Sequence, residues 1–208
     1  MYPNPIYRQT ETAKNLAFAK ERGFGSLCAN GPAGPLVSHV PFLLTGDSTA
    51  ELHLVRSNPV ARLGEVPAVI TVNGPDAYVS PDWYGIDDQV PTWNYVSVHL
   101  RGRLVPVPQE MLPGTLERLS EEFESRLAPK PAWTMAKMTA QTRERFLRMI
   151  VPLRFDIEHV EGTWKLGQNK SAAARAGAAR GMDGGAIGAN VAALAELMRS
   201  VDTRDDQG

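Results

Sequence analysis

Cysteine is almost missing from this 208-residue chain: Cys28 stands alone, so no intramolecular disulfide can form and nothing points to an oxidising compartment. Cys28 lies in the apolar run Phe24-Gly-Ser-Leu-Cys-Ala29, which reads as a small buried strand residue rather than a nucleophile. Charge of one sign is also lacking. With 22 Lys and Arg against 23 Asp and Glu, the formal charge is −1, which excludes the strongly basic footprint of a general nucleic-acid binder. No run approaches the ~18 apolar residues of a membrane span, and the start shows no charged segment followed by an apolar stretch. A cytoplasmic protein is the expectation. The four histidines, His39, His53, His99 and His159, show no paired spacing on one helix and have no second cysteine to join, so no zinc site is expected. The chain also lacks a P-loop, a G-x-G-x-x-G turn and a G-x-S-x-G elbow.

Apolar residues make up 43% of the chain, enough for a real core. Glu11–Arg22 reads as a helix closed by Gly23. Strand-like runs come next at Phe24–Ala29, Leu36–Leu44, Glu51–Val55 and Pro67–Val72. The last ends at Asn73-Gly74-Pro75, a turn signal, before Ala77–Ser80 resumes the sheet. The clearest strand is Asn94–Val105. Val96, Val98, Leu100 and Leu104 share one face with Gly102, and Ser97, His99, Arg101 and Arg103 share the other. A late strand is carried by Leu153, Phe155 and Ile157.

Between these two strands, Leu112, Leu116, Leu119, Phe123 and Leu127 mark one helical stripe stopped by Pro129 and Pro131. A shorter helix covers Gln141–Met149. After Lys170 the composition turns to Ala, Gly and Arg. Ala172–Ala179 is helix-like, Gly181, Gly184, Gly185 and Gly188 weaken the run beyond it, and Val191, Leu194, Met198 and Val201 give a second stripe. The fold class predicted is mainly β with added helices: an antiparallel barrel, a helical insertion and a C-terminal helix. The organisation predicted is residues 1–170 as the barrel domain and 171–208 as a helical extension.

Three segments carry chemistry. Ser80–Tyr95 holds two Trp and two Tyr among turn formers. It is either a loop folded over the barrel end or a wall on which a planar ring stacks. Leu52–Pro59 runs a strand into a polar turn, where Arg56, Asn58 and a helix opened by Pro59 suit an anion; an ordinary solvated turn is the alternative. Gly162–Lys170 follows the last strand as a compact polar turn, and Lys165, Gln168, Asn169 and Lys170 supply donors for a phosphate or a ring edge. Its alternative is a simple cap for the next helix.

Six stretches together resemble the PaiB-like, FMN-binding negative transcriptional regulator family. They are Met1-Tyr-Pro3, Ser38-His-Val-Pro-Phe42, His53-Leu-Val-Arg-Ser-Asn-Pro59, Gly74-Pro-Asp-Ala-Tyr-Val-Ser-Pro-Asp-Trp-Tyr84, Val90-Pro-Thr-Trp-Asn-Tyr95 and Lys165-Leu-Gly-Gln-Asn-Lys170. They occur in family order over residues 1 to about 170. The resemblance implies an FMN-binding split barrel, a homodimer, and flavin bound where two barrels meet. Carried over residue by residue, it places Ser38 and His39 at a strand edge near the ligand and Arg56 and Asn58 at the phosphate end. His53 joins that set from the same motif. Trp93, Asn94 and Tyr95 match the aromatic wall, and Lys165 and Gln168 the C-terminal loop. Two positions depart from the family pattern: Gly167 stands where Ser is common, and Ile6-Tyr7 where His-Phe is usual.

Two functions are expected from these features. One is a flavin-binding transcriptional regulator. Its contact with DNA would have to come from a short basic stretch, Lys165, Lys170, Arg175 and Arg180, since no helix-turn-helix is evident. The alternative is a flavin-dependent oxidoreductase or flavin reductase, in which the cofactor performs the chemistry and no catalytic acid or base need be visible.

Overall fold

The computed structural model describes residues 2–201. Among these residues, seven strands form one antiparallel sheet: β1 (Phe24–Gly31), β2 (Gly34–Leu44), β3 (Thr49–Val55), β4 (Val66–Val79), β5 (Thr92–Pro106), β6 (Ile150–Lys165) and β7 (Gly188–Ala189). Five α-helices accompany them: α1 (Thr12–Arg22), α2 (Leu112–Ser125), α3 (Ala140–Met149), α4 (Ala172–Asp183) and α5 (Val191–Arg199). The hydrogen-bonded order is β1-β2-β3-β6-β5-β4-β7, and β1 also pairs with β4. Six strands thus close into a ring, the antiparallel barrel expected from strand periodicity and the split barrel that the family resemblance implies. The chain divides into two compact units.

The larger unit comprises residues 16–72 and 99–160. Its β1–β2 hairpin pairs Phe24 with Pro41 through to Gly31 with Gly34, and β3 pairs with β6 from Thr49↔Asp156 to Val55↔Ile150. Alternation buries Phe42, Leu52, Leu100, Leu104 and Phe155 almost completely. Each contributes about 1.5–3 kcal/mol relative to exposure. Gly102 lies on the buried face of β5 because nothing larger fits: a Cβ there would stand 1.8 Å from the Asp156 carbonyl oxygen of β6. Gly23 ends α1 at φ +55°, the left-handed conformation in which glycine closes a helix. The α2 stripe buries Leu112 and Leu119, while Leu127 falls past the helix end and is exposed.

The smaller unit comprises residues 2–15, 73–98 and 161–201 of the described chain. Here α4 and α5 pack as a hairpin, with Ala178, Met182, Leu194 and Met198 fully buried. Glycines inside α4, which weaken the helix locally, are explained by Trp83. A Cβ on Gly177 would meet the Trp83 carbonyl oxygen at 2.6 Å, and one on Gly181 would meet its indole ring at 2.3 Å. Packing thus carries α4 past Gly181 to Asp183, and the helix ends at Gly184, where the next of the glycines expected to weaken it begin.

Two local expectations are corrected. Asn73-Gly74-Pro75 is not a turn, because β4 runs unbroken from Val66 to Val79. The triplet lies between the stretch paired with β1 (residues 68–71) and the stretch paired with β7 (residues 76–77), where a proline without an N–H is tolerated. The last strand also continues through Gly162-Thr-Trp-Lys165, so the polar turn begins only at Leu166.

Candidate functional site

Strand β5 separates two environments in the smaller unit. Side chains alternate across a strand, so Thr92 and Asn94 point to one side, and Trp93, Tyr95 and Ser97 to the other. On the second side lies an open groove of about 360 Å³ lined by Asn73, Gly74, Asp76, Trp93, Tyr95 and Ser97. Trp93 is 45% exposed, although it sits on a regular strand. Its ring meets Tyr78 edge-on at 6.3 Å, which fixes its orientation. Burial raises the Tyr95 phenol above its usual value, with a smaller push from Tyr2. The groove therefore offers aromatic surface flanked by the Ser97 hydroxyl and the Asn73 amide.

On the Thr92–Asn94 side lies a smaller pocket of about 160 Å³. Tyr2, Tyr7, Tyr84, Gln89, Thr92 and Asn94 form part of its wall, and Lys165, Gly167, Asn169 and Lys170 complete it. Lys165, at the end of β6, is 8% exposed. Its Nζ donates to the Thr92 hydroxyl and, at 2.7 Å, to the Trp93 carbonyl. Burial lowers its ammonium below the usual lysine value. Lys170 Nζ donates to Gln89 Oε1. Gly167 adopts φ +79°, a left-handed conformation that serine would reach only with strain, which accounts for glycine at this position. Burial raises the phenols of Tyr7 and Tyr84, so both stay protonated and able to donate.

The larger unit places the remaining predicted residues. Asn58 Nδ2 donates to Ser38 Oγ at 2.9 Å, and Asn58 Oδ1 accepts the Val60 N–H at 2.9 Å. Ser26 Oγ and His39 Nδ1 share a hydrogen bond of 3.0 Å. The exposed Arg56 turns Nε to the Arg148 carbonyl at 3.1 Å and Nη2 to Gln109 Oε1 at 3.0 Å. The helix expected after Pro59 is a single 3-10 turn, Val60–Arg62, too short for a helix dipole. His53 lines a mostly apolar hollow with Leu116, Phe123 and Trp133, with Ser120 and Glu124 also on its wall. Its buried Nδ1 has no partner, and burial lowers its pKa.

The predicted residues thus fall into separate groups. Trp93 and Tyr95 share the groove, Asn94 and Lys165 share the pocket, and Ser38 and Asn58 form one polar patch with the Arg56 turn nearby in sequence. Gln168 turns onto its own loop, accepting the Leu166 N–H at 2.8 Å and donating to the Trp164 carbonyl. Sequence reasoning passes over Tyr2, Tyr7, Tyr84, Gln89 and Thr92 as pocket residues. Their one signal in the sequence is the concentration of aromatics at residues 2–7 and 83–95. The basic stretch expected to face DNA is largely turned inward, with Lys165 and Arg175 buried at 8% and 4% exposure; Arg180 is the exposed member.

A family model described as "Putative FMN-binding domain" matches residues 1–159. A curated relative, "Protease synthase and sporulation protein PAI 2" from Bacillus subtilis (strain 168), is 26% identical over 182 residues, covering 82% of this chain and 84% of its own. Among solved structures, the FAD and heme binding protein from Mycobacterium smegmatis aligns with TM-score 0.56 at 18% identity, over 77% of this chain and 74% of that one. The flavocytochrome Anf3 from Azotobacter vinelandii aligns with TM-score 0.52 at 11% identity, over 76% and 69%. Both likenesses concern the fold. Among the described residues, no helix is long and apolar enough to cross a membrane.

Proposed function

Because the chain belongs to the FMN-binding domain family matched over residues 1–159, we propose that it carries FMN with the flavin ring seated in the groove of Trp93 and Tyr95. The observation that supports this reading is Trp93: a large aromatic side chain, 45% exposed on a regular strand and oriented by Tyr78, beside a groove of about 360 Å³. That volume lies within the roughly 300–1,000 Å³ of small-molecule sites. Asn73 and Ser97 stand ready to bond the heteroatoms at the ring edge. The groove suits the ring and not the phosphate, since its one charged wall residue is Asp76. Bound flavin supplies one- or two-electron redox chemistry. The chain's part is to orient the ring and to limit water on the covered face.

The biological reading is a cytoplasmic, homodimeric flavin-dependent regulator. The regulatory part draws its support from the relative whose name ties it to protease synthesis and sporulation; the dimer and the cytoplasmic location come from the family resemblance and the sequence. A flavin-dependent oxidoreductase is the alternative. FMN titration of Trp93→Ala tests the site. Loss of a stacking partner costs about 1–3 kcal/mol, so affinity should fall roughly 5- to 150-fold; unchanged affinity excludes the groove as the seat of the ring. Anaerobic addition of NADH or NADPH separates the two functions, because a reductase bleaches the flavin and a regulator that only senses it does not. A gel shift against genomic fragments tests DNA contact, and light scattering tests the dimer.

A further inference from the structure

The lysine-lined pocket has a charge imbalance that the flavin reading does not use. Each ammonium carries three N–H donors. Lys165 spends two, on the Thr92 hydroxyl and the Trp93 carbonyl, and Lys170 spends one, on Gln89. Three donors remain in a space of about 160 Å³. No Asp or Glu lines that space, and neither lysine forms an ion pair among the described residues. Tyr2 lies 5.3 Å from the Lys165 ammonium and Tyr84 5.5 Å from that of Lys170. These rings steady the cations without neutralising them. Behind the loop, Arg175, 4% exposed, donates through Nη1 to the Lys170 carbonyl at 2.7 Å. Its Nε is buried without a partner. Cations that share one pocket wall without a counter-charge are unfavourable unless an anion joins them.

We propose that this pocket is a binding site for a small phosphate dianion, either free or as the phosphate of a small ester, distinct from the flavin groove. A phosphate ester carries close to two negative charges at pH 7 and three acceptor oxygens, which matches two ammoniums and three spare N–H donors. A carboxylate would neutralise only one. The protonated Tyr7 and Tyr84 hydroxyls extend the donor set. The volume is below the roughly 300–1,000 Å³ typical of drug-sized ligands, and the pocket lies on the opposite side of β5 from Trp93 and Tyr95.

The test is calorimetric titration of the full chain, FMN-free and FMN-saturated, with inorganic phosphate, glycerol 3-phosphate and acetate. Saturable binding of one phosphate per chain is expected, with acetate about tenfold weaker or more. Tighter binding of glycerol 3-phosphate assigns the site to an ester; tighter binding of inorganic phosphate assigns it to the free ion. Lys170→Gln should weaken phosphate about tenfold or more while FMN affinity stays within twofold. Lys170 is half-buried on a loop, so this variant carries the test even if Lys165→Met fails to fold. No phosphate binding at millimolar concentration, or an unchanged Lys170→Gln variant, overturns the proposal. So does competition between phosphate and FMN, which would make the pocket the flavin's own phosphate end. Failure of the flavin reading is a separate result: phosphate binding intact with no FMN binding.

Discussion

Replacing Gly102 with alanine tests the register of the barrel in its most crowded place. A Cβ at this position would stand 1.8 Å from the Asp156 carbonyl oxygen and 2.9 Å from its carbonyl carbon. Both atoms are backbone, so no side chain can swing aside. Ordinary contact begins near 3.4 Å, and strands β5 and β6 would have to part by more than an ångström. Overpacking a core costs about 1–3 kcal/mol and sometimes more; with backbone on both sides, at least about 3 kcal/mol is expected. For a chain of this size each kcal/mol moves Tm by about 2–4 °C, so Gly102→Ala should melt at least about 6 °C below the parent. Gly114→Ala is the control. It lies within α2, and the three nearest atoms to a Cβ placed there belong to the end of the Arg118 side chain, the closest at 3.2 Å. There the alanine should stabilise by roughly 0.5–1 kcal/mol and raise Tm. Differential scanning calorimetry reads both. A Gly102→Ala shift under about 2 °C, less than one kcal/mol on the same scale, would refute the β5–β6 pairing.

Asn58→Ala should cost about 1 kcal/mol, because it removes the acceptor of the Val60 N–H and the partner of Ser38; chemical denaturation measures it. His53 gives a pH signature. Its pKa is lowered from the ordinary 6.5 by burial, so the fold favours the neutral ring. Stability is full above about pH 6.5 and declines as pH falls from there toward the lowered folded value. His53→Gln should flatten that part of a Tm-against-pH curve, and an unchanged curve would dismiss His53 as its source.

The barrel is legible in the sequence wherever one face is buried and the other is not. Asn94–Val105 reads as a strand because Val96, Val98, Leu100 and Leu104 alternate with polar residues. The α2 and α5 stripes are readable for the same reason. Misreadings arise where partners distant in sequence decide. Asn73-Gly74-Pro75 carries turn chemistry, but sheet partners on either side keep it extended. Thr163 and Lys165 look like turn residues, yet they lie in β6, where Lys165 is held by the Trp93 carbonyl of β5. The α4 glycines are understandable only beside Trp83.

The candidate site is half legible. The aromatics of Ser80–Tyr95 signal a surface for a ring, and Lys165 and Lys170 signal an anion. That Trp93 and Lys165 serve opposite sides of β5 emerges only in three dimensions. Tyr2 and Tyr7 reach the pocket from the far end of the chain, which no local spacing reveals.

Whether this chain holds FMN is decided by equilibrium titration of FMN fluorescence with purified protein. Saturable quenching with one flavin per chain and a shifted visible absorption band is the expected result. Fluorescence that stays flat through stoichiometric and excess protein would contradict flavin binding.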